Sequence, residues 1–178
     1  MLPLETPRLS LRRFVPTDLE DLYRLDSDPV VMRYVIPPRT WAETEAYLQT
    51  ILENYDNGSG LIRWNVEERE TGAFVGVIGL FRLPDDSDWE IGYRFFPEFW
   101  GKGYATEALR VVIDYAFEHL NLPCLVAVAN PENRASSRVM EKVGMHFEKM
   151  AFYYGTDVVF YAVYPAGSET QSPDSRRT

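Results

Sequence analysis

Residues 90–109 read EIGYRFFPEFWGKGYATEAL. Apart from Glu90 and Arg94, the first seven are aromatic, branched or small, as in a strand. Pro97 cannot donate to a sheet ladder and closes that run. Two glycines then bracket Lys102, and from Tyr104 the chain favours helix, with Ala105, Ala108, Leu109, Val112 and Ala116 on one face. The next apolar run, residues 122–129 (LPCLVAVA), reads as a strand. Strand, helix and strand in that order imply a parallel pair joined by a right-handed crossover.

The glycine turn has two readings. One is a tight strand-to-helix turn. The other is an anion site: glycine lets backbone approach a ligand closely, and the first helical turn offers unpaired N–H groups and a positive dipole end, which suits phosphate or pyrophosphate. The familiar nucleotide loops fit poorly. A dinucleotide fingerprint needs a small residue where Thr106 stands, and belongs at the first strand of a long βαβ series. A P-loop needs Ser or Thr after its lysine, where this chain has Gly103.

Upstream, RLSLRRF (residues 8–14) reads as a strand, with Leu9, Leu11 and Arg13 on one side. Thr17 and Glu20 form a capping-box pattern that opens a helix, which Asp28-Pro29 ends. Thr40 and Glu43 repeat the pattern before Leu48, Ile51, Leu52 and Tyr55 at helical spacing. Turns are expected at 57–60 (NGSG), at Thr71-Gly72 and at 84–87 (PDDS), separating three strands into an antiparallel meander. In the first of these, Ile62, Trp64 and Val66 alternate with Arg63, Asn65 and Glu67, giving one wet face. Downstream, residues 130–133 start a short helix with Val139, Met140 and Val143 inward and Gly144 as its C-terminal cap. Residues 147–154 and 157–164 form a closing hairpin around Gly155-Thr156. The run 158–164 is apolar enough for a strand covered on both faces. The expected architecture is a single α/β domain over residues 1–164: a mostly antiparallel mixed sheet, a parallel pair in its middle and helices on both faces. Residues 165–178 lack apolar anchors and are expected to form a flexible tail.

Composition narrows the function classes. The chain has 178 residues, 46 % hydrophobic and 25 % charged, with a formal net charge of -9. These values fit one soluble domain. The negative balance argues against a nucleic-acid partner and suits a cationic one, although solubility alone also explains it. One cysteine and two histidines leave no basis for a disulfide, a thiolate zinc cluster or a multi-histidine metal site. No apolar run approaches the ~18 residues of a membrane span. The opening MLPLETPRLSLRR has no long apolar core, so no secretory signal is expected and the cytoplasm is the expected compartment.

Taken with NPENRASSRVMEKVGM (130–145) and ETPRLSLRRF (5–14), the opening stretch resembles the GNAT acetyltransferase superfamily, and within it the ribosomal-protein alanine acetyltransferase branch of RimJ/RimL type. The resemblance spans residues 4–164. It implies acetyl-CoA as co-substrate and no metal. The superfamily motif, Gln or Arg-x-x-Gly-x-Gly or Ala, falls on Trp100-Gly101-Lys102-Gly103-Tyr104-Ala105, with Trp100 as the departure. Backbone N–H groups from Gly101 to Thr106 are implied to hold the CoA pyrophosphate, with the Thr106 hydroxyl assisting and Lys102 a solvated neighbour. The strand over 90–96 is implied to splay from the strand over 122–129, so that the pantetheine arm pairs with backbone near Tyr93 and Phe95. A backbone N–H there would polarise the thioester carbonyl.

Acetyl transfer needs an amine relieved of its proton, close approach, oxyanion donors and a proton for the leaving sulfur. The tyrosine acid of many superfamily members falls on Met140, which cannot donate. The resemblance instead places Asn133 on the pantetheine arm and Ser136 as the acid. Helix capping alone also explains Asn133, and a first-turn polar position explains Ser136. Glu90 is the best carboxylate for a base, or else an exposed strand-end charge with water as the base. Arg134 and Arg138 are either 3′-phosphate contacts or solvated charges. Cys124 reads as a core residue. The lid of the acceptor site is expected over residues 32–41, with Tyr153 and Tyr154 opposite. The expected acceptor is an amine, foremost a protein N-terminal peptide. A small amine, such as a polyamine, aminoglycoside or amino-acid derivative, is the alternative. A non-catalytic CoA-binding regulator is a third reading. Monomer and homodimer are both compatible with the sequence.

Overall fold

Fifteen elements follow one another along the described residues. The computed structural model describes residues 3–57, 61–84 and 88–167. The elements are β1 (Leu4–Glu5), β2 (Leu9–Arg12), a 3-10 turn (Pro16–Asp18), α1 (Leu19–Ser27), α2 (Pro29–Met32), α3 (Trp41–Asn57), β3 (Ile62–Glu68), β4 (Phe74–Arg82), β5 (Trp89–Phe95), a second 3-10 turn (Pro97–Phe99), α4 (Tyr104–Glu118), β6 (Leu125–Ala129), α5 (Arg134–Lys142), β7 (His146–Tyr153) and β8 (Thr156–Val163). Of the turns expected at 57–60 and 84–87 and the tail expected over 165–178, residues 58–60, 85–87 and 168–178 lie outside the described residues.

The eight strands among the described residues form one sheet in the order β1-β2-β3-β4-β5-β6-β8-β7. The β5–β6 pair is parallel and the others are antiparallel. The expected α/β domain with a central parallel pair is therefore the observed one. Strand β8 lies between β6 and β7, and it is covered on both faces as expected: Phe160 and Ala162 are buried in one cluster and Tyr161 in the other.

Hydrophobic clusters sandwich the sheet, two of them large and a third, smaller one at Leu83, Val126, Phe160 and Ala162. On one face α4 packs Ala108, Leu109, Val112 and Ala116 against Leu9, Leu11, Trp64, Ile78 and Leu80. Trp64 is fully buried and meets Tyr115 edge-on at 5.5 Å. On the other face α1–α3 bury Leu22, Leu25, Met32, Leu48 and Ile51 over Phe14, Phe74 and Val77. Each large side chain so buried contributes about 1.5–3 kcal/mol before ordering costs.

Local expectations hold unevenly. Thr40 and Glu43 do cap α3: Thr40 N donates to Glu43 Oε2 at 2.8 Å, and Glu43 N to Thr40 Oγ1 at 3.3 Å. The cap before α1 is not the Thr17–Glu20 pair. Buried Asp18 takes Val15 N at 2.9 Å and both Arg12 terminal nitrogens, at 2.8 and 2.9 Å, because an ion pair with a neighbouring strand anchors the turn more firmly than a local hydroxyl. Asp28 ends α1 but also caps α2, accepting from Val30 N at 2.7 Å. The strand expected over 122–129 begins only at Leu125. Cys124, just before it, is buried and donates to Asp88 Oδ1 at 3.3 Å.

Candidate active site

The parallel pair is joined at a single register point, Glu90 to Val126. Strand β4, by contrast, follows β5 along its whole length, from Arg82–Trp89 to Gly76–Phe95. Beyond Glu90 the strands β5 and β6 therefore part. Phe96 N donates to Val75 O at 3.0 Å on the β4 side. Strand backbone alternates with period two, so Tyr93 and Phe95 turn their N–H groups the other way, into the gap. A cavity of about 420 Å³ runs through the gap, from Tyr34 and Ile36 at one end to Asn133 and Ser136 at the other. The Phe95 ring is not in it; that side chain is buried in the core, and Phe95 O already accepts the Trp100 indole N–H at 2.7 Å. This bond explains the tryptophan: it pins the glycine turn to the end of β5.

Gly101 and Gly103 have φ of 73° and 82°, left-handed values that glycine adopts without strain. A Cβ on Gly101 would meet nothing within 4 Å, so the loop faces open space there. Gly103 caps α4, and its carbonyl takes the first helical bond from Glu107 N at 3.0 Å. The N–H groups of Tyr104, Ala105 and Thr106 precede that bond and point out of the helix end. The N-terminal segment braces the loop from below. Arg8 Nη1 donates to Lys102 O at 2.9 Å and Arg8 Nε to Glu107 Oε2 at 2.7 Å, and Thr6 Oγ1 donates to Glu107 Oε1 at 2.5 Å. The Tyr104 ring is buried under Arg8 and its hydroxyl donates to Glu68, so Tyr104 offers the loop only backbone. Lys102 is exposed, with Nζ 5.4 Å from the Phe99 ring centre.

Further along the gap Asn133 caps α5, its Oδ1 accepting from Ser136 N at 3.2 Å. Ser136 Oγ lies 2.9 Å from the Tyr93 hydroxyl. Burial pushes the Tyr93 phenol up to about 12 despite that bond, so it stays protonated at neutral pH. Met140, fully buried, lines the same wall. Glu90 is not an exposed strand end: it is only 4 % exposed. Burial raises its carboxyl to about 7, against the lowering effect of the Tyr154 hydroxyl, which donates to Oε2 at 2.5 Å, and of the Arg63 charge. Tyr154 itself has φ of 55°, a bend that sends its side chain back over the cavity. Arg134 and Arg138 are exposed on α5.

A splayed parallel pair, a left-handed glycine loop and a helix opening on that loop lie in one continuous chain segment, and the acetyltransferase (GNAT) domain family matches residues 8–146. The chain belongs to that family. YkkB of Bacillus subtilis, an uncharacterized protein, is 34 % identical over 161 residues, which cover 89 % of this chain and 93 % of YkkB. An FsC-acetyl coenzyme A-N(2)-transacetylase of Aspergillus fumigatus is 35 % identical over 164 residues, covering 86 % of this chain and 69 % of that protein. The crystal structure of an acetyltransferase from Agrobacterium tumefaciens is 29 % identical, covers 92 % of this chain and 95 % of its own, and superposes with a TM-score of 0.81. This GNAT chain is therefore an acyltransferase. Acetyl-CoA, the donor the family implies, fits the open glycine loop and the gap beside Tyr93.

The acceptor end of the GNAT cavity differs from its reading in the sequence. Tyr34, Val35, Ile36 and Arg39 of the expected lid line it, and Tyr154 faces them; Tyr153 does not, but packs against Phe160 with ring centres 6.2 Å apart. Beneath the lid lies a charged cluster that sequence reasoning missed. Asp26, fully buried, pairs with Arg39 and with Arg94 Nη2 at 2.8 Å. Arg63 Nε donates to the Tyr47 hydroxyl at 2.9 Å, and its guanidinium lies 4.1 Å over the Phe81 ring. The alternation of residues 62–67 had already turned Arg63 to the wet face of β3. That this face lines a pocket rather than bulk water depends on α1–α3, whose placement no local pattern reveals. No group of three or more His, Cys, Asp or Glu side chains suited to a metal occurs among the described residues, and no helix among them is long and apolar enough to cross a membrane.

Proposed function

We propose that this enzyme transfers acetyl from acetyl-CoA directly to a protein N-terminal amine, in a ternary complex of the RimJ/RimL type, in the cytoplasm. The observation that carries the reading is the position of two proton-handling groups along one gap: buried Glu90 where β5 and β6 still touch, and the Tyr93–Ser136 pair where they have parted.

Backbone N–H groups from Gly101 to Thr106 bind the pyrophosphate, with the Thr106 hydroxyl assisting and Lys102 and Trp100 framing the turn. Asn133 and the gap-facing backbone of Tyr93 and Phe95 hold the pantetheine arm. Acetyl-CoA, when bound, supplies the thioester carbon that the amine attacks. The Tyr93 N–H stabilises charge on the carbonyl oxygen. Glu90, with a carboxyl near 7, takes the proton from the attacking amine. Ser136 Oγ gives a proton at the sulfur and takes one from the Tyr93 hydroxyl across 2.9 Å, and the phenolate so formed at once recovers its proton from water in the gap. A small amine is the second reading, supported by the name of the Aspergillus relative, an FsC-acetyl coenzyme A-N(2)-transacetylase.

Calorimetric titration with acetyl-CoA, followed by assay of CoA release on short peptides and small amines, tests the reading. Binding with turnover on free peptide N-termini is the expected result. Absence of binding at sub-millimolar acetyl-CoA overturns it.

A further inference from the structure

The acceptor end of the cavity is built for a second charge. Its floor is set by sheet register: Arg63 on β3 faces Gly79 on β4, and Gly79 faces Gly92 on β5. Glu90 and Arg94 flank Gly92 two residues away on either side, on the same face. The floor thus carries no side chain at its centre, and Arg63 lies across it. A Cβ on Gly79 would stand 2.5 Å from both Cδ and Nη1 of Arg63, so the glycine is what lets the guanidinium lie flat here.

Charge at this end does not balance. Arg39, Arg63 and Arg94 line the cavity. Facing these three are only two carboxyls among the described residues, those of Asp26 and Glu90, the latter raised to about 7. Arg63 has no carboxylate within ion-pair distance among the described residues, and the buried Nε of Arg94 has no hydrogen-bond partner among them. The hydroxyls facing the cluster are those of Tyr47 and Tyr154. Burial pushes the Tyr47 phenol up, yet the Arg63 and Arg94 charges and the Arg63 hydrogen bond outweigh it and bring it below its ordinary value. That is the effect of surplus positive charge in a site shielded from water. An enclosed guanidinium pair of this kind is the usual receptor for a carboxylate.

We propose that the acceptor is an amine that also carries an anionic group, a carboxylate in the first instance, which Arg63 and Arg94 receive while Glu90 faces the amine. The inference rests on the N-acetyltransferase reading and narrows its substrate class. It runs against the cationic partner that a net charge of -9 suggests, because the local sign is the opposite of the global one. A polyamine would meet like charge. The carboxylate has two sources, the α-carboxylate of a small amino acid or an acidic side chain near the start of a peptide.

The test compares acceptors matched in size on the intact protein, after calorimetry has confirmed acetyl-CoA binding. One arm sets glutamate against glutamine amide. The other sets the peptide amides Ala-Glu-Ala, Ala-Gln-Ala and Ala-Lys-Ala against one another, with spermidine as the polyamine. An anionic acceptor is expected to exceed its neutral match in kcat/KM by roughly tenfold or more, and the better arm names the source. Arg63→Gln should erase that preference and leave the acetyl-CoA Kd unchanged; it breaks no ion pair, whereas Arg94→Gln also strips Asp26. Calorimetry of N-acetylglutamate against N-acetylglutamine amide, on the CoA complex of both forms, reads the same preference without turnover. Equal use and equal binding of neutral or cationic members, or a preference that survives Arg63→Gln, overturns the proposal. Failure to bind acetyl-CoA would overturn the enzyme reading instead.

Discussion

Glu90 carries a cost that its function would explain. Its carboxyl ordinarily titrates at 4.5 and is raised to about 7 in the fold. Between those values the folded chain keeps a proton that the unfolded chain releases, so stability falls as pH rises through that window, by an amount on the order of 3 kcal/mol. Glu90→Gln removes the buried charge. Its melting temperature should exceed that of the parent at about pH 8, with the difference vanishing toward about pH 4.5. The same change should lower kcat by roughly 10²-fold and remove the rise of kcat/KM with pH through the neutral region; an unchanged profile would mean that water is the base. At the other end of the gap, Ser136→Ala should lower kcat by roughly tenfold or more with little change in acetyl-CoA affinity. Tyr93→Phe should do the same to a lesser degree. If both leave kcat intact, the proton reaches the sulfur by another route. Of these three residues the sequence pointed to all, but not to the Tyr93–Ser136 contact: they are 43 positions apart, and only the parting of two strands brings their hydroxyls together.

The glycine loop was the most legible element, because left-handed backbone before a helix has a direct signature in residue type. Gly103→Val should abolish acetyl-CoA binding in calorimetry, since φ of 82° is strained for a branched residue. Circular dichroism of the same variant should stay close to the parent, because the loop is exposed. Arg8→Ala, which removes the brace under Lys102, should raise the KM for acetyl-CoA several-fold while leaving kcat nearly unchanged. Equal KM would make the brace purely structural. Other elements were legible only in part. The meander and the α3 cap follow from alternation and local hydrogen bonding, which sequence records. The Thr17–Glu20 cap failed because Arg12, on a neighbouring strand, decides that turn. The order β6-β8-β7 and the arginine floor depend on which strand lies beside which, and a residue such as Arg63 looks the same whether its face meets water or a closed pocket.

Across the whole molecule, β1–β5 and β6–β8 meet in the sheet at one register point. A ligand that enters the gap bridges the two parts. Saturation at about a hundredfold over Kd adds about 2.7 kcal/mol, which for a chain of this size should raise the melting temperature by roughly 5–10 °C. Hydrogen exchange should show the new protection concentrated in β5 and β6; protection confined to the glycine loop would mean that the arm does not lie in the gap. The molecular surface and the acceptor pocket also differ in sign, so net charge alone misleads about the partner. A last consequence concerns Cys124, the chain's one thiol, buried ahead of β6 beside Asp88. A sulfhydryl-specific dye will meet almost nothing on the native enzyme, so colour developed during turnover counts liberated coenzyme directly, and a cysteine introduced on the lid can carry a fluorophore as its sole point of attachment.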